Sequence, residues 1–168
     1  MPPTITDEDK KRDEPLDTTG FTVWPHIGKF FVAKQVPEAI LPERKHDGDA
    51  GIDFFALQDT LIKSGDVKVV RTGITVGLPP HYFGLLKPKG GSNFDVFAGV
   101  VDPNYQGEIL FKIYNPSEES ISFLAGQPVG QMVIVPIIKP PVTEISIEEI
   151  HQDETDRGTT GGIVEDVE

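Results

Sequence analysis

Two stretches of this chain alternate apolar and polar positions with a period of two. Ile74, Val76 and Leu78 fall on one face with Thr75 and Gly77 on the other, and Ile109, Phe111 and Ile113 alternate with Leu110, Lys112 and Tyr114. Successive side chains of a strand point to opposite faces, so both stretches predict half-buried strands. Around them lie short apolar runs cut off by Gly, Pro, Asp or Asn. These predict strands over 29–34, 51–56, 67–71, 73–78, 82–86, 96–101, 108–114, 121–124 and 129–138. No window of helical length carries a 3.6-residue period, and residues 144–150 fit a short helix or a further strand equally. Many short strands at this spacing predict an all-β fold of the jelly-roll-like sandwich or barrel kind.

The flanks differ from this centre. Residues 1–27 are mostly polar and charged and are expected to be largely disordered, although Phe21, Val23 and Trp24 offer side chains that dock on the body. The β domain is expected over 28–141. After Pro140 and Pro141 the chain turns acidic and then rich in Gly and Thr, so 142–168 reads as a C-terminal arm. Such an arm is either disordered or ordered by a ligand or a neighbouring subunit.

Charge and composition narrow the chemistry. Fifteen basic and 27 acidic residues give a net charge of −12, which argues against nucleic acid as a partner. A small anion is still compatible, because a few cations or Mg²⁺ reverse the potential inside a cleft. With no cysteine there are no disulfides or thiolate metal ligands. None of His26, His46, His81 and His151 has metal-ligand spacing, which disfavours zinc. The longest apolar run, 132–138, is too short to cross a membrane, and the first fifteen residues have no apolar signal-like stretch. The expectation is a soluble, cytoplasmic protein with no membrane partner.

The segment GVVDPNYQGE at 99–108 carries the sharpest candidate chemistry. Two apolar arms flank a turn holding Asp102, Pro103, Asn104 and Gly107. It reads either as an ordinary β-hairpin, whose Asp and Asn bond their own backbone, or as a site. In the second case Asp102 is a general base and the Tyr105 ring packs on a sugar or a base. Lys87-Pro-Lys-Gly-Gly-Ser92 likewise reads as a surface turn or as a phosphate cradle, in which glycine lets backbone N–H groups converge on an anion.

Segment 99–108 resembles the third motif of the trimeric dUTPase family, G-x-I-D-x-x-Y-x-G. DAGIDFFA (49–56), KPKGGS (87–92), GQPVGQM (126–132) and DRGTTGG (156–162) fall, in order, where that family has its first, second, fourth and fifth motifs. Motifs in the family's order on an all-β background are far more specific than any one of them. The resemblance implies a dUTPase fold of β-clip type, a homotrimer with sites between subunits, and Mg²⁺-assisted hydrolysis of dUTP to dUMP and pyrophosphate. It implies that Asp102 activates the water, and that Tyr105 packs on the deoxyribose and excludes a 2′-hydroxyl. Backbone groups at Gly99, Val101, Gly107 and Ile109 would read the uracil edge. Lys89, Gly90, Gly91, Ser92, Gln131 and Arg157 would hold phosphate. Asp53 would support the site without binding the metal, which reaches the protein through substrate phosphates and water.

The chain departs from the family pattern in several places. Lys89 and Gly90 stand where the family has Arg and Ser, so a point charge replaces a bidentate fork, and Ser92 is placed to supply the hydroxyl. The stretch 88–102 is about four residues short, which predicts a turn where the family has a short helix. Pro128 stands where a basic residue is common, and Ile163 replaces a phenylalanine that stacks on uracil. A catalytically weak dUTPase-like binding or regulatory protein is therefore the alternative. A dCTP deaminase is disfavoured because no Glu follows Glu108 on its strand, and an unrelated β-sandwich adaptor is the remaining reading.

Overall fold

The computed structural model describes residues 28–150. The expectations for 1–27, and for Arg157 and the rest of the tail, lie outside them. The described residues divide into two units, one ending at Ile138 and the other beginning at Lys139.

Among the described residues the regular elements of the first unit are all strands: β1 (Phe31–Lys34), β2 (Gly51–Phe55), β3 (Thr60–Ile62), β4 (Val67–Arg71), β5 (Ile74–Gly77), β6 (Tyr82–Lys87), β7 (Asp95–Phe97), β8 (Val100–Val101), β9 (Leu110–Tyr114), β10 (Ile121–Phe123) and β11 (Pro128–Pro136). They form sheets ordered β2-β11-β6-β8, β4-β9-β7, β1-β5 and β10-β3. Every strand pair is antiparallel. The expected all-β fold is what forms.

Both alternating stretches turn their apolar face inward. Ile74, Val76 and Leu78 are buried, as are Ile109, Phe111 and Ile113, while Leu110 and Lys112 point outward. Phe54 of β2 and Phe111 of β9 meet at the centre with ring centroids 5.9 Å apart. Ile62, Val70, Val129 and Met132 complete this core from three other strands. Asn115 is the main buried polar side chain beside it. Its amide donates to the carbonyls of Ile62 and Glu119 and its Oδ1 accepts from Ser117, so it is fully satisfied while fixing the turn after β9.

Two elements differ from the reading of the sequence. Thr60–Ile62 pairs with β10 although its three residues are too few to show a period. The strand expected over 96–101 is two strands. Ala98 and Gly99 have φ of 64° and 65°, a left-handed conformation that breaks a ladder. There the chain leaves the β4-β9-β7 sheet and enters the other, where Val100 and Val101 pair with Leu85 and Gly84. The stretch 88–94 contains turns and bends and no helix, as its shortened length predicted.

In the second unit Ile147–Ile150 forms one helical turn, which decides between the two readings of 144–150. Ser146 Oγ accepts from the Glu149 amide, and the Glu149 carboxylate accepts from the Ser146 amide, a reciprocal N-terminal cap.

Candidate active site

The turn 102–109 joins two different sheets, so it is not the ordinary hairpin that the local sequence allowed. Its incoming arm, β8, lies beside β6, and its outgoing arm, β9, lies between β4 and β7. Gly99 begins the turn's approach. Its carbonyl accepts from the Leu86 amide at 2.6 Å, and a Cβ at Gly99 would stand 2.8 Å from the Leu86 carbonyl oxygen. Both the positive φ and this close approach require glycine.

Asp102 opens the turn and its side chain is exposed, while its backbone carbonyl accepts from the Tyr105 amide at 3.0 Å. Tyr105 is 41% exposed, yet its ring is held: the hydroxyl donates to the Glu108 carbonyl at 2.9 Å. The ring lies over Gly107, where any Cβ would overlap the hydroxyl. Glycine is thus what lets the phenol fold back across its own turn. Val101 and Ile109 are buried at the two ends, and the Ile109 amide donates to the Ile74 carbonyl at 2.7 Å.

Glu108, which the sequence reading did not single out, anchors the turn. Its carboxylate accepts from the amides of Thr72 (3.1 Å) and Gly73 (2.7 Å) and forms a forked ion pair with Arg71, the closest approach being 2.9 Å. Burial pushes this carboxyl up. The Arg71 hydrogen bond, with those of the Gly73 and Thr72 amides and the Arg71 charge, outweighs burial and holds it below the ordinary glutamate value. The two partners lie 35 and more residues apart in sequence, and nothing local to Glu108 signals the contact.

A second group of residues assembles around the strand pair β2–β11. Asp53 is buried on β2 and forms an ion pair with the Lys89 ammonium from the loop after β6. Gln131 stands opposite Asp53 on β11, and its side-chain amide donates to the Pro88 carbonyl at 2.9 Å. Its side chain crosses the face of Gly51. The loop itself is a tight turn closed by the Ser92 amide on the Lys89 carbonyl at 3.1 Å, with Gly91 at φ 82°. Gly90 and Gly91 have open space where a side chain would be.

These residues line one cleft of about 310 Å³. Its walls are Asp53, Lys89, Gly90 and Gln131, joined by Lys45, Asp49, Ala50 and Gly51. Lys45 is an addition that its surface-loop sequence did not mark, and Asp49 opens the 49–56 motif without having been given a role. The fold therefore gathers the Asp53, Lys89 and Gln131 segments into one place. Asp102 and Tyr105 do not line this cleft and sit on their own turn.

Residues 37–162 match the dUTPase family. The deoxyuridine 5′-triphosphate nucleotidohydrolase of Clostridium acetobutylicum is 34% identical over 130 residues, 73% of this chain and 86% of that protein. The same enzyme of Gloeothece citriformis is 34% identical over 139 residues, covering 79% and 93%. Among solved structures, Staphylococcus bacteriophage 80alpha dUTPase with dUPNHPP superposes with a TM-score of 0.71 at 24% identity, covering 79% of this chain and 95% of that one. A mutant dUTPase from phage phi11 of S. aureus, whose structure reveals coordination of a structural Mg(II) ion, has a TM-score of 0.65 at 23% identity, covering 70% and 96%. The structures establish the likeness of fold, the sequences establish kinship, and on both this chain belongs to the dUTPase family.

Proposed function

We propose that this chain is a dUTP diphosphatase, hydrolysing dUTP to dUMP and pyrophosphate. The observation that carries the reading is the turn 102–109: an exposed carboxylate and a locked phenol ring stand three residues apart on a segment anchored to both sheets.

Asp102 takes a proton from a water molecule, whose oxygen attacks the α-phosphorus as the bridging bond to the β-phosphate breaks. Pyrophosphate departs with the bonding electron pair. Tyr105 packs on the deoxyribose and leaves no room for a 2′-hydroxyl, and the backbone at Gly99, Val101, Gly107 and Ile109 reads the uracil. These groups are preorganised, so little ordering is required when substrate binds. Lys89, Gly90, Gly91, Ser92 and Gln131 receive the phosphates, with Arg157 closing over them, and Asp53 holds Lys89 in place.

Magnesium fits this arrangement as an ion carried by the triphosphate. Among the described residues no three His, Cys, Asp or Glu side chains cluster to hold a metal, and Mg²⁺ commonly keeps several waters and binds substrate phosphates, so few protein ligands are needed. When bound, the ion polarises the phosphates and fixes their shape. The structural Mg(II) of the phi11 relative supports a magnesium requirement.

The assembly in this reading is a homotrimer whose sites lie between subunits. Two features support it. The cleft around Lys89 and the turn carrying Asp102 are separate within one chain. The outer face of the β4-β9-β7 sheet also exposes Val69, Phe97 and Leu110, apolar side chains suited to contact with another copy. Absence of cysteine and the −12 charge suit a cytoplasmic enzyme of a nucleotide rather than of nucleic acid.

Pyrophosphate release measured across the deoxynucleoside triphosphates with Mg²⁺ tests the proposal. Turnover confined to dUTP is expected. Tight dUTP binding without product would favour the regulatory alternative, and ammonia release from dCTP would favour a deaminase.

A further inference from the structure

We infer that Glu108 is a positioning residue that sets discrimination between deoxyribose and ribose, acting through Tyr105. The inference rests on the sugar-packing role proposed for Tyr105 and deepens it. Glu108 has two attachments at once. Its carboxylate is fastened to the corner between β4 and β5, with Oε1 accepting from the amides of Thr72 and Gly73 and Oε2 from Arg71 Nε (3.1 Å) and Nη2 (2.9 Å). Its main-chain carbonyl receives the Tyr105 hydroxyl. One residue therefore connects the core-bearing strands to the tip of the phenol ring.

The outgoing end of the turn is also held by the Ile109 amide, which donates to the Ile74 carbonyl at 2.7 Å, and by the Thr72 hydroxyl on the Ile109 carbonyl, but its tip lies in the open. Residues Asp102, Asn104, Tyr105 and Gln106 are exposed. The Thr75 hydroxyl also donates to the Gln106 carbonyl at 3.3 Å. Rejecting a single hydroxyl requires the ring to stay within a fraction of an ångström, and a phenol on an unanchored turn gives way instead of clashing. Both carboxylate oxygens of Glu108 face N–H donors. An amide in its place turns an NH₂ group toward one set of donors, so charge and geometry are lost together while the size of the side chain is kept.

The test compares wild type, E108Q, R71K and Y105F as full-length protein. The first readout is the ratio of kcat/KM for dUTP over UTP, and the second is hydrogen exchange of the amides from 105 to 107. E108Q is expected to lower the ratio about tenfold, the scale of one charge-assisted hydrogen bond, and to speed exchange across the turn. R71K keeps the charge but loses the fork, so it falls between E108Q and wild type. Y105F lacks the hydroxyl and moves the ratio in the same direction. A merely structural Glu108 would lower the melting temperature and both substrates' rates while leaving the ratio fixed, and that result overturns the inference. So does unchanged exchange in E108Q. If wild type binds dUTP without turning it over, the catalytic reading fails by itself. Calorimetric affinities for dUTP and UTP then supply the same ratio, and a ratio unaltered in E108Q defeats the positioning role. Binding of neither nucleotide overturns both.

Discussion

Asp53 on β2 holds the Lys89 ammonium by an ion pair between two segments 36 residues apart in sequence. A cation already neutralised by a buried carboxylate is poised in place but is not at full strength toward an anion. The pair aims Lys89 into the cleft and moderates its charge. D53N keeps the size and removes the anchor, so Lys89 becomes mobile. The KM for dUTP is expected to rise about tenfold with a smaller change in kcat, the signature of lost ground-state binding. Steady-state kinetics over a range of dUTP concentrations checks this, and equal losses in both constants would assign Asp53 a different role.

Asp102 is exposed, and the bond that closes its turn is donated by the Tyr105 amide to its backbone carbonyl, not to its side chain. D102N is therefore expected to leave the fold alone while removing the proposed base. Turnover is expected to fall by about 10²–10⁴, the usual contribution of a general base, at an unchanged melting temperature. A D102N protein that hydrolyses dUTP at the wild-type rate excludes the base.

Gly107 lies beneath the Tyr105 hydroxyl. In G107A the new methyl must displace the ring, breaking its bond to Glu108. The dUTP rate is expected to drop more than tenfold, with a melting temperature lowered by only a few degrees. Circular dichroism melts beside dUTP assays separate the two effects.

Glu108 also gives the protein a pH signature. Its folded-state carboxyl lies below the ordinary glutamate value of 4.5, with burial opposed and outweighed by Arg71 and the Gly73 and Thr72 amides. A depressed carboxyl stabilises the fold above its unfolded value, and this stabilisation is lost as pH falls through the lower folded value. The melting temperature of wild type is thus expected to decline more than that of E108Q as pH is lowered below the ordinary glutamate value of 4.5, because only wild type has this carboxylate to protonate. Parallel declines in the two proteins would show that the interaction contributes little.

In the core, Phe111 is fully buried against Phe54. F111A leaves a cavity where the sheets meet and is expected to cost about 3–5 kcal/mol. Urea denaturation measures this, and a smaller loss would mean that the sheets close over the gap.

The parts legible in the sequence share a physical property: their signal is local. Ile74, Val76 and Leu78, or Ile109, Phe111 and Ile113, declare an inward face through period two alone, and both faces are buried. Membership of the dUTPase family was legible for a similar reason, since each motif is a short contiguous string. What escaped depends on contacts made at a distance. The Glu108 carboxylate finds Arg71, Thr72 and Gly73 only after the sheets assemble. Likewise, Val96, Phe97, Val100 and Val101 have the composition of one strand, and the break at Ala98 follows from the need to change sheets. The final helical turn was the exception. Its Ser146 and Glu149 have the spacing of a reciprocal cap, a signal strong enough to have favoured helix over strand.

The crossing of the chain between sheets at Ala98 and Gly99 governs which lengths of sequence relatives can exchange. Segment 88–94 consists of turns and bends outside the ladders, so residues can be gained or lost there without disturbing a ladder. From Ala98 to Ile109 every residue is counted, because one end is registered against Leu86 and the other against Ile74. A single inserted residue would slide Asp102 and Tyr105 out of phase with each other's supports. Loop grafts from other dUTPases should therefore be cut before Asp95, and the twelve positions from 98 to 109 transplanted whole.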